Sequence, residues 1–273
     1  MYGLVYSVKD PAGVGIASFL REYYGLDKCS FEIDSIDCFI HDDFILVGFI
    51  EDVIYFSFLD EKLPSSVSEY IVLSRHSSEQ GIKSYTVHHT GNFGSADYGG
   101  RPGELGIANP VVSHKLLLNV KELCEEKNLI GVYEVSYEAT HHGPTENSKP
   151  ILFIEIGYSI EEWRDRRNHE LIGLAIVDFI DKPVHFCKPV IGIGGGHYPR
   201  KHTELAFEEN YCYGHIMAKH SLNYLTNRTL SKMIERSSVK PSFIIVEKKS
   251  TRVEHREIIQ EFSRESGIEY IYI

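Results

Sequence analysis

The sequence predicts an α/β protein in three layers, with helices on both faces of a mixed, mostly parallel sheet and a small α/β unit at its C-terminal end. Three observations carry this expectation. Apolar runs of strand length recur from Leu4 to Ile273, two of the gaps between them hold long stretches of helical periodicity, and the helix–strand alternation starts again after residue 225. With 273 residues, 42% hydrophobic and 25% charged, the chain is long enough to bury a core and too apolar for a disordered one. A boundary is expected near residue 225, dividing a core over 1–225 from an appendage over 226–273.

Leu4 to Val8 reads as the first strand. Asp10-Pro11 then supplies a helix cap followed by Pro at the first helical position, opening an amphipathic helix through Ile16 to Tyr24. The runs 37–40, 44–50 and 53–58, broken by His41-Asp42-Asp43 and Glu51-Asp52, read as strands with charged turns. Further strands are expected at Tyr70 to Leu73, Tyr85 to His88, Gly131 to Tyr137, Ile151 to Ile156 and Val190 to Ile193. Leu116, Leu117, Val120 and Leu123 make the apolar face of a helix from about Val111 to Lys127. A second long helix starts at Ser159, where Glu162 completes a capping box, and runs to about Ile180. The C-terminal unit reads as helix Thr226 to Arg236, strand Phe243 to Val246, helix from the capping box Thr251-x-x-Glu254 to Ser266, and strand Tyr270 to Ile273.

Met1 to Leu20 has no basic leader region, and Phe44 to Ile50 is far short of the roughly 18–20 apolar residues a membrane helix needs, so a soluble protein is expected. Five widely spaced cysteines, odd in number and without a C-x-x-C pair, indicate neither a disulfide framework nor a thiolate zinc site, and so a reducing, cytoplasmic setting. The formal net charge of −11 argues at first against a nucleic-acid partner. Between Lys182 and Arg256, however, 13 basic residues face six acidic ones, a local +7 set against an acidic remainder.

Twelve of the 14 histidines lie between His76 and His220. Five strand-like runs lead into or contain polar residues that ligate metals or move protons: Ser74-Arg75-His76-Ser77-Ser78, His88-His89-Thr90-Gly91-Asn92, Glu138 to Glu146 with His141-His142, Glu155, and Gly192 to Tyr198 with His197. In open α/β sheets such strand ends converge on one cleft. Imidazole with carboxylate and no thiolate suits Zn²⁺ or another divalent ion. Adjacent residues of an extended segment point to opposite sides, so one histidine of each pair is expected at the ion while the other orients a carboxylate or meets a second ion. No H-E-x-x-H segment is present, and Ser74-Arg75-His76-Ser77-Ser78 shows no sign of a serine triad. Gly192-Ile193-Gly194-Gly195-Gly196-His197 lacks the third glycine of a dinucleotide fingerprint and the Gly-Lys of a Walker loop. It reads either as a backbone approach to a phosphate or oxyanion, or as a tight strand-to-loop bend.

These blocks, together with Tyr137-Glu138-Ala139-Thr140-His141-His142-Gly143-Pro144-Thr145-Glu146, Phe153 to Gly157 and Gly214-His215-Ile216, resemble the metal-dependent D-aminoacyl-tRNA deacylases of archaea and plants. Weaker similarity at Lys249, Arg252, Glu254 and Arg256 extends the resemblance to the appendage. It departs from the family at Pro199-Arg200, where Ala-Pro is usual, and at His89, where the family is apolar; the latter favours His88 as the ligand. The resemblance implies a fold similar to nucleoside phosphorylases and peptidyl-tRNA hydrolases, and zinc-dependent hydrolysis of the ester between a D-amino acid and the 3′-terminal ribose of tRNA. On this reading His88, His141, His142 and Glu155 ligate one or two zinc ions, Glu138 acts as base or orienter, and His197 protonates the ribose oxygen or adds a ligand, with His76 as a further catalytic residue. Arg200, Lys201, Lys249, Arg252 and Arg256 are the expected tRNA contacts, with no obligate protein partner and a monomeric chain. Hydrolysis of a small amide or peptide, and a non-catalytic metal-containing RNA-binding module, stand as the alternatives.

Overall fold

The computed structural model describes residues 1–77, 81–182 and 186–273; Ser78 of the Ser74 block and His185 lie outside the described residues. The first half of the chain contributes β1 (Tyr2–Ser7), α1 (Pro11–Tyr24), β2 (Asp27–Lys28), β3 (Asp37–Ile40), β4 (Phe44–Phe49), α2 (Leu59–Lys62), β5 (Glu69–Ser77), β6 (Ser84–His89), α3 (Pro110–Glu126) and β7 (Glu134–Tyr137). The second half contributes β8 (Ile151–Tyr158), α4 (Ile160–Arg164), α5 (Arg166–Asp181), β9 (Lys188–Ile193), α6 (Arg200–Glu209), β10 (Tyr211–Met217), α7 (Asn227–Glu235), β11 (Phe243–Val246), α8 (Val253–Ser266) and β12 (Glu269–Tyr272).

Eight strands form a mixed sheet in the order β2-β3-β4-β1-β5-β8-β6-β7, and four form a parallel sheet in the order β10-β9-β11-β12. The smaller sheet draws on 188–217 as well as on 243–272, so its strands come from both sides of residue 225. Period-2 alternation divides the large sheet into two apolar faces. Leu4, Ile71, Leu73, Val87, Leu152 and Ile154 pack with α1, α3 and α5. Val5, Val47, Val72, Ile151 and Phe153 pack on the other face under residues 53–63. In the small sheet, Ile191, Ile193, Ile244 and Val246 meet α7 and α8 through Leu230, Met233, Ile259 and Phe262.

Local signals explain most boundaries. The Asp10 carboxylate accepts from Ala12 N and Gly13 N, and Gly25, at φ 61°, closes α1. Elsewhere tertiary context prevails. Residues 53–58 form no strand: Asp52 caps a 3₁₀ turn over Val53–Tyr55, which lets Val53, Phe56 and Leu59 all reach the sheet. The long helix from Ser159 breaks at Asp165, whose carboxylate caps α5 by accepting from Arg167 N. Thr251 does not cap α8; its hydroxyl donates to Lys248 O, and the cap is Arg252, whose N–H donates to His255 Nδ1. The strand β10 and the helix α6 went unread because aromatic, glycine and charged residues interrupt both patterns.

The cysteine expectation is overturned. Cys29 and Cys38 are disulfide-bonded across the β2–β3 hairpin, Cys187 and Cys212 are bonded between the start of β9 and β10, and Cys124 alone is free and buried. Partners are set by strand adjacency, which count and spacing do not reveal, and the argument for a reducing compartment from cysteine usage falls with them. Among the described residues no helix is long and apolar enough to cross a membrane.

Glu69 opens β5 at 4% exposure, with Oε2 accepting from Asn109 Nδ2 at 2.8 Å and Oε1 without a hydrogen-bond partner. Burial, only partly offset by the Asn109 bond, pushes its carboxyl up to about 8. The folded chain therefore holds this proton more tightly than the unfolded one. The associated stability is complete below about pH 4 and is lost as pH rises through about 8. Glu69→Gln is expected to raise the denaturant midpoint relative to the parent protein at pH 9 and to match it near pH 4; parallel midpoints across that range would contradict the assignment.

Candidate active site

Register assembles the site. Ser74 on β5 lies opposite Glu155 on β8, which in turn lies opposite Thr86 on β6, so these side chains form one row across the sheet. His76 and His88, two residues further along their strands, share that face. Beyond β7, Glu138 N–H donates to Val87 O of the large sheet, whereas Ala139 N–H donates to His197 O and Thr140 N–H to Ile216 O of the small one. Residues 138–140 thus stitch the two sheets together. The seam brings His197 of the glycine loop to Glu138 of the large sheet.

At the centre are two buried carboxylates, Glu138 and Glu155, 2% and 3% exposed. His76 Nδ1 lies 3.3 Å from an oxygen of each. His197 Nε2 is 3.1 Å and His141 Nε2 3.6 Å from Glu138 Oε2, and His88 Nε2 is 3.6 Å from Glu155 Oε2. Ser74 Oγ donates to the other Glu155 oxygen at 2.6 Å. The rings of His88, His141 and His142 lie within 4.9 Å of one another, and His197 stands 4.6 Å from His141.

Burial alone would raise both carboxyls, but His197 and His76 around Glu138, and His76 and His88 around Glu155, hold them below the usual carboxylate range. The same contacts, opposing burial, raise His88 and bring His76 up to about 9. Burial and neighbouring imidazoles instead drive His141 well down and His142 to about 4, so both are neutral. Their Nδ1 atoms lie 2.8 Å from Ala139 O and 2.7 Å from Gly143 O, and His88 Nδ1 lies 3.3 Å from His89 O. Each is therefore assigned an Nδ1–H that donates to a carbonyl, which leaves Nε2 as a lone-pair donor.

These residues fit a divalent cation. His88 Nε2, both oxygens of Glu138 and Glu155 Oε2 are buried without a hydrogen-bond partner. Three overlapping groups have ligand atoms within 4.8 Å of one another: His76, Glu138, His141 and His197; His88, His141 and His142; and His88, Glu138 and Glu155. Imidazoles pinned at Nδ1 by carbonyls, with carboxylates between them, are the donor set that zinc-binding proteins use.

All seven central residues read from the sequence are brought together here, though not as parity suggested. His89 does face away: its Nδ1 meets Ile151 O at 3.1 Å and its ring lies 6.2 Å from that of His215. His141 and His142, by contrast, both enter the site, because they leave the strand and His142 adopts a φ of 44°. The glycine loop is a bend held in place, with Gly194 N–H donating to Met217 O and Gly195 N–H to Ser250 Oγ. Glu146 stays outside, accepting from Thr145 N and facing Arg101. Arg200 is tied to Glu134 through bonds of 2.9 and 3.1 Å, and Arg256 donates to Thr251 O at 2.8 Å. Lys249 and Arg252 are exposed on either side of Ser250 and Thr251, and Lys201 is half-buried on α6. Sequence reading passed over Ser74 as a Glu155 partner. It also missed Thr140, whose Oγ1 accepts from Ile216 N and lies 3.2 Å from His215 Nδ1 behind His141. The i, i+2 spacing of Ser74 and His76 was the available signal for the first.

The fold and site define a hydrolase of α/β architecture with an imidazole–carboxylate centre. Residues 63–271 match the D-aminoacyl-tRNA deacylase family model. The chain is 60% identical to the D-aminoacyl-tRNA deacylase of Staphylothermus marinus, covering all of this chain and 99% of that protein. It is 56% identical to that of Desulfurococcus amylolyticus over the whole of both chains, and 36% identical to that of Pyrococcus furiosus over 96% of each. A crystal structure of a conserved protein of unknown function superposes with a TM-score of 0.92 at 32% identity, covering all of this chain and 95% of that one. The chain belongs to the D-aminoacyl-tRNA deacylase family.

Ligation requires neutral imidazole, whereas the Glu155 carboxylate favours the protonated form of His88 in the metal-free protein. Uptake of Zn²⁺ is expected to release protons and to tighten as pH rises, and Glu155→Gln is expected to weaken it about tenfold or more. Calorimetry in two buffers of different ionisation enthalpy reads both effects; uptake without proton release, or unchanged affinity in the variant, contradicts this site.

Proposed function

We propose that this chain hydrolyses the ester joining a D-amino acid to the 3′-terminal ribose of tRNA, with zinc, and so clears D-amino acids from charged tRNA in the cytoplasm. The observation that carries the reading is the pair of buried carboxylates ringed by five imidazoles, on a chain of the D-aminoacyl-tRNA deacylase family. Disulfides occur inside cells of hyperthermophilic archaea, so the two present here do not oppose a cytoplasmic setting.

His88, His141, His142 and Glu155 would hold the ion, with Ser74 fixing the free oxygen of Glu155. A bound zinc ion supplies a water of pKa about 7 and polarises the ester carbonyl. Glu138 is ionised and buried, and takes the proton of the attacking water as general base. Its Oε2 lies 3.1 Å from His197 Nε2, which passes a proton to the departing ribose oxygen. The water's hydroxyl joins the acyl carbon, the acyl–oxygen bond breaks, and the products are a free D-amino acid and uncharged tRNA. His76, shared by both carboxylates, keeps them at a fixed spacing and offsets their charge.

Release of amino acid from D-Tyr-tRNA and L-Tyr-tRNA, with and without a chelator, tests this directly. Rapid release from the D-ester, slow release from the L-ester and loss on chelation are expected. His141→Ala and Glu138→Gln are each expected to lower the rate about a hundredfold or more while folding is retained. Full activity in both variants, or equal release of the two enantiomers, would overturn the proposal.

A further inference from the structure

The imidazole–carboxylate centre has a cavity on each side, and the two differ in character. One, of about 250 Å³, reaches past His76, His141, His142 and Glu155 to Val53, Ile54 and Tyr98. Val53, Ile54 and Tyr98 give its outer wall an apolar patch beside Lys9, Asp10, Asp52 and Arg75, and it is larger than the roughly 150 Å³ that accepts a benzene ring, so an aromatic side chain has room there. The other, of about 560 Å³, flanks His197 through Gly196 and Tyr198 and carries Lys201, Lys219 and His220.

The second cavity has the chemistry of an anion and sugar site. Arg200 on its edge is held by Glu134, and Glu247 accepts from Ser250 Oγ. Lys201 and Lys219 have no ion-pair partner among the described residues. Lys219 is anchored beside the glycine loop, its N–H donating to Gly195 O at 2.8 Å. At Gly196 an added Cβ would meet only Tyr198 O, at 3.7 Å, so bare backbone faces open space where a flat ring or a ribose can approach. The volume falls within the roughly 300–1,000 Å³ of small-molecule sites, enough for a nucleotide.

On the deacylase reading above, we propose that the ester crosses the centre in one direction: the 3′-terminal nucleoside and its phosphate occupy the Lys201–Lys219–Gly196 cavity, and the aminoacyl side chain occupies the Ile54–Tyr98 cavity. The positions of the central residues agree with this polarity. His197, which faces the leaving ribose oxygen, stands at the nucleoside side, whereas His141, His142 and Glu155 line the aminoacyl side. Neutral nucleoside edges meet backbone, and a phosphate meets two ammonium groups.

Two variants separate the halves of the proposal. Lys201→Ala with Lys219→Ala is expected to raise KM for D-Tyr-tRNA about tenfold with kcat within about twofold, and to flatten the salt dependence of kcat/KM by about 1.5 in log–log slope, whichever amino acid is carried. Ile54→Trp is expected to lower kcat/KM about tenfold for D-Tyr-tRNA while leaving D-Ala-tRNA within about threefold, because only the larger side chain loses its space. Lys83→Ala with Lys127→Ala, at a cavity beyond the opposite end of β6, is the charge-matched control and is expected to behave as the parent. An active parent enzyme whose KM and salt slope survive loss of Lys201 and Lys219, or whose Ile54→Trp variant loses both substrates equally, overturns the orientation. A parent protein inactive on D-Tyr-tRNA overturns the deacylase reading itself, and the orientation falls with it.

Discussion

Everything at the centre depends on keeping two carboxylates ionised where water is almost absent. Glu138 and Glu155 are nearly inaccessible, yet each meets His76 at 3.3 Å, and further imidazoles close around them. An isolated buried carboxylate would take up a proton instead of accepting the desolvation penalty, so the surrounding histidines are what allow these two to stay charged. The strand register supplies that company. Ser74, Glu155 and Thr86 fall in one row, and the 138–140 segment bonds to both sheets, so His197 reaches Glu138 only because the small sheet is fixed against the large one. Packing far from the centre therefore serves it. The apolar faces under α1, α3 and α5 and under residues 53–63 hold the strands whose ends carry the charged groups.

The histidines divide into two kinds. His141 and His142 are neutral, tethered at Nδ1 by carbonyls of their own segment, and present lone pairs. His76 and His88 lie against carboxylates, which favour their protonated forms and bring His76 up to about 9. A cation entering such a centre would displace protons. The −11 of the whole chain has no bearing on this, nor on the Lys201–Lys219 cavity, where local charge is positive.

Much of this was legible in the sequence, for reasons that particular residues make plain. Strand ends rich in His and Glu converge in open α/β sheets, so His76, His88, Glu138, Glu155 and His197 could be grouped without coordinates. Period-2 parity separated His88 from His89, because β6 is a regular strand there. The same rule failed for His141 and His142, where the backbone is not extended and a left-handed residue re-aims a ring. Residues 53–58 look like a strand because Val53, Ile54, Tyr55, Phe56 and Phe58 make a nearly unbroken apolar run, yet a 3₁₀ turn buries Val53 and Phe56 equally well. Disulfide partners, the strand β10 and the Lys219 wall of the second cavity are set by neighbours distant along the chain, and no local pattern encodes them.

The most direct test of the central claim is an anomalous difference map from crystals of the zinc-loaded protein, collected at the zinc edge. A peak is expected among His88, His141, His142 and Glu155, about 2.0–2.2 Å from nitrogen and oxygen ligands and with no sulfur in contact. A map with no peak at these residues, or one whose strongest peak lies elsewhere on the chain, would contradict it.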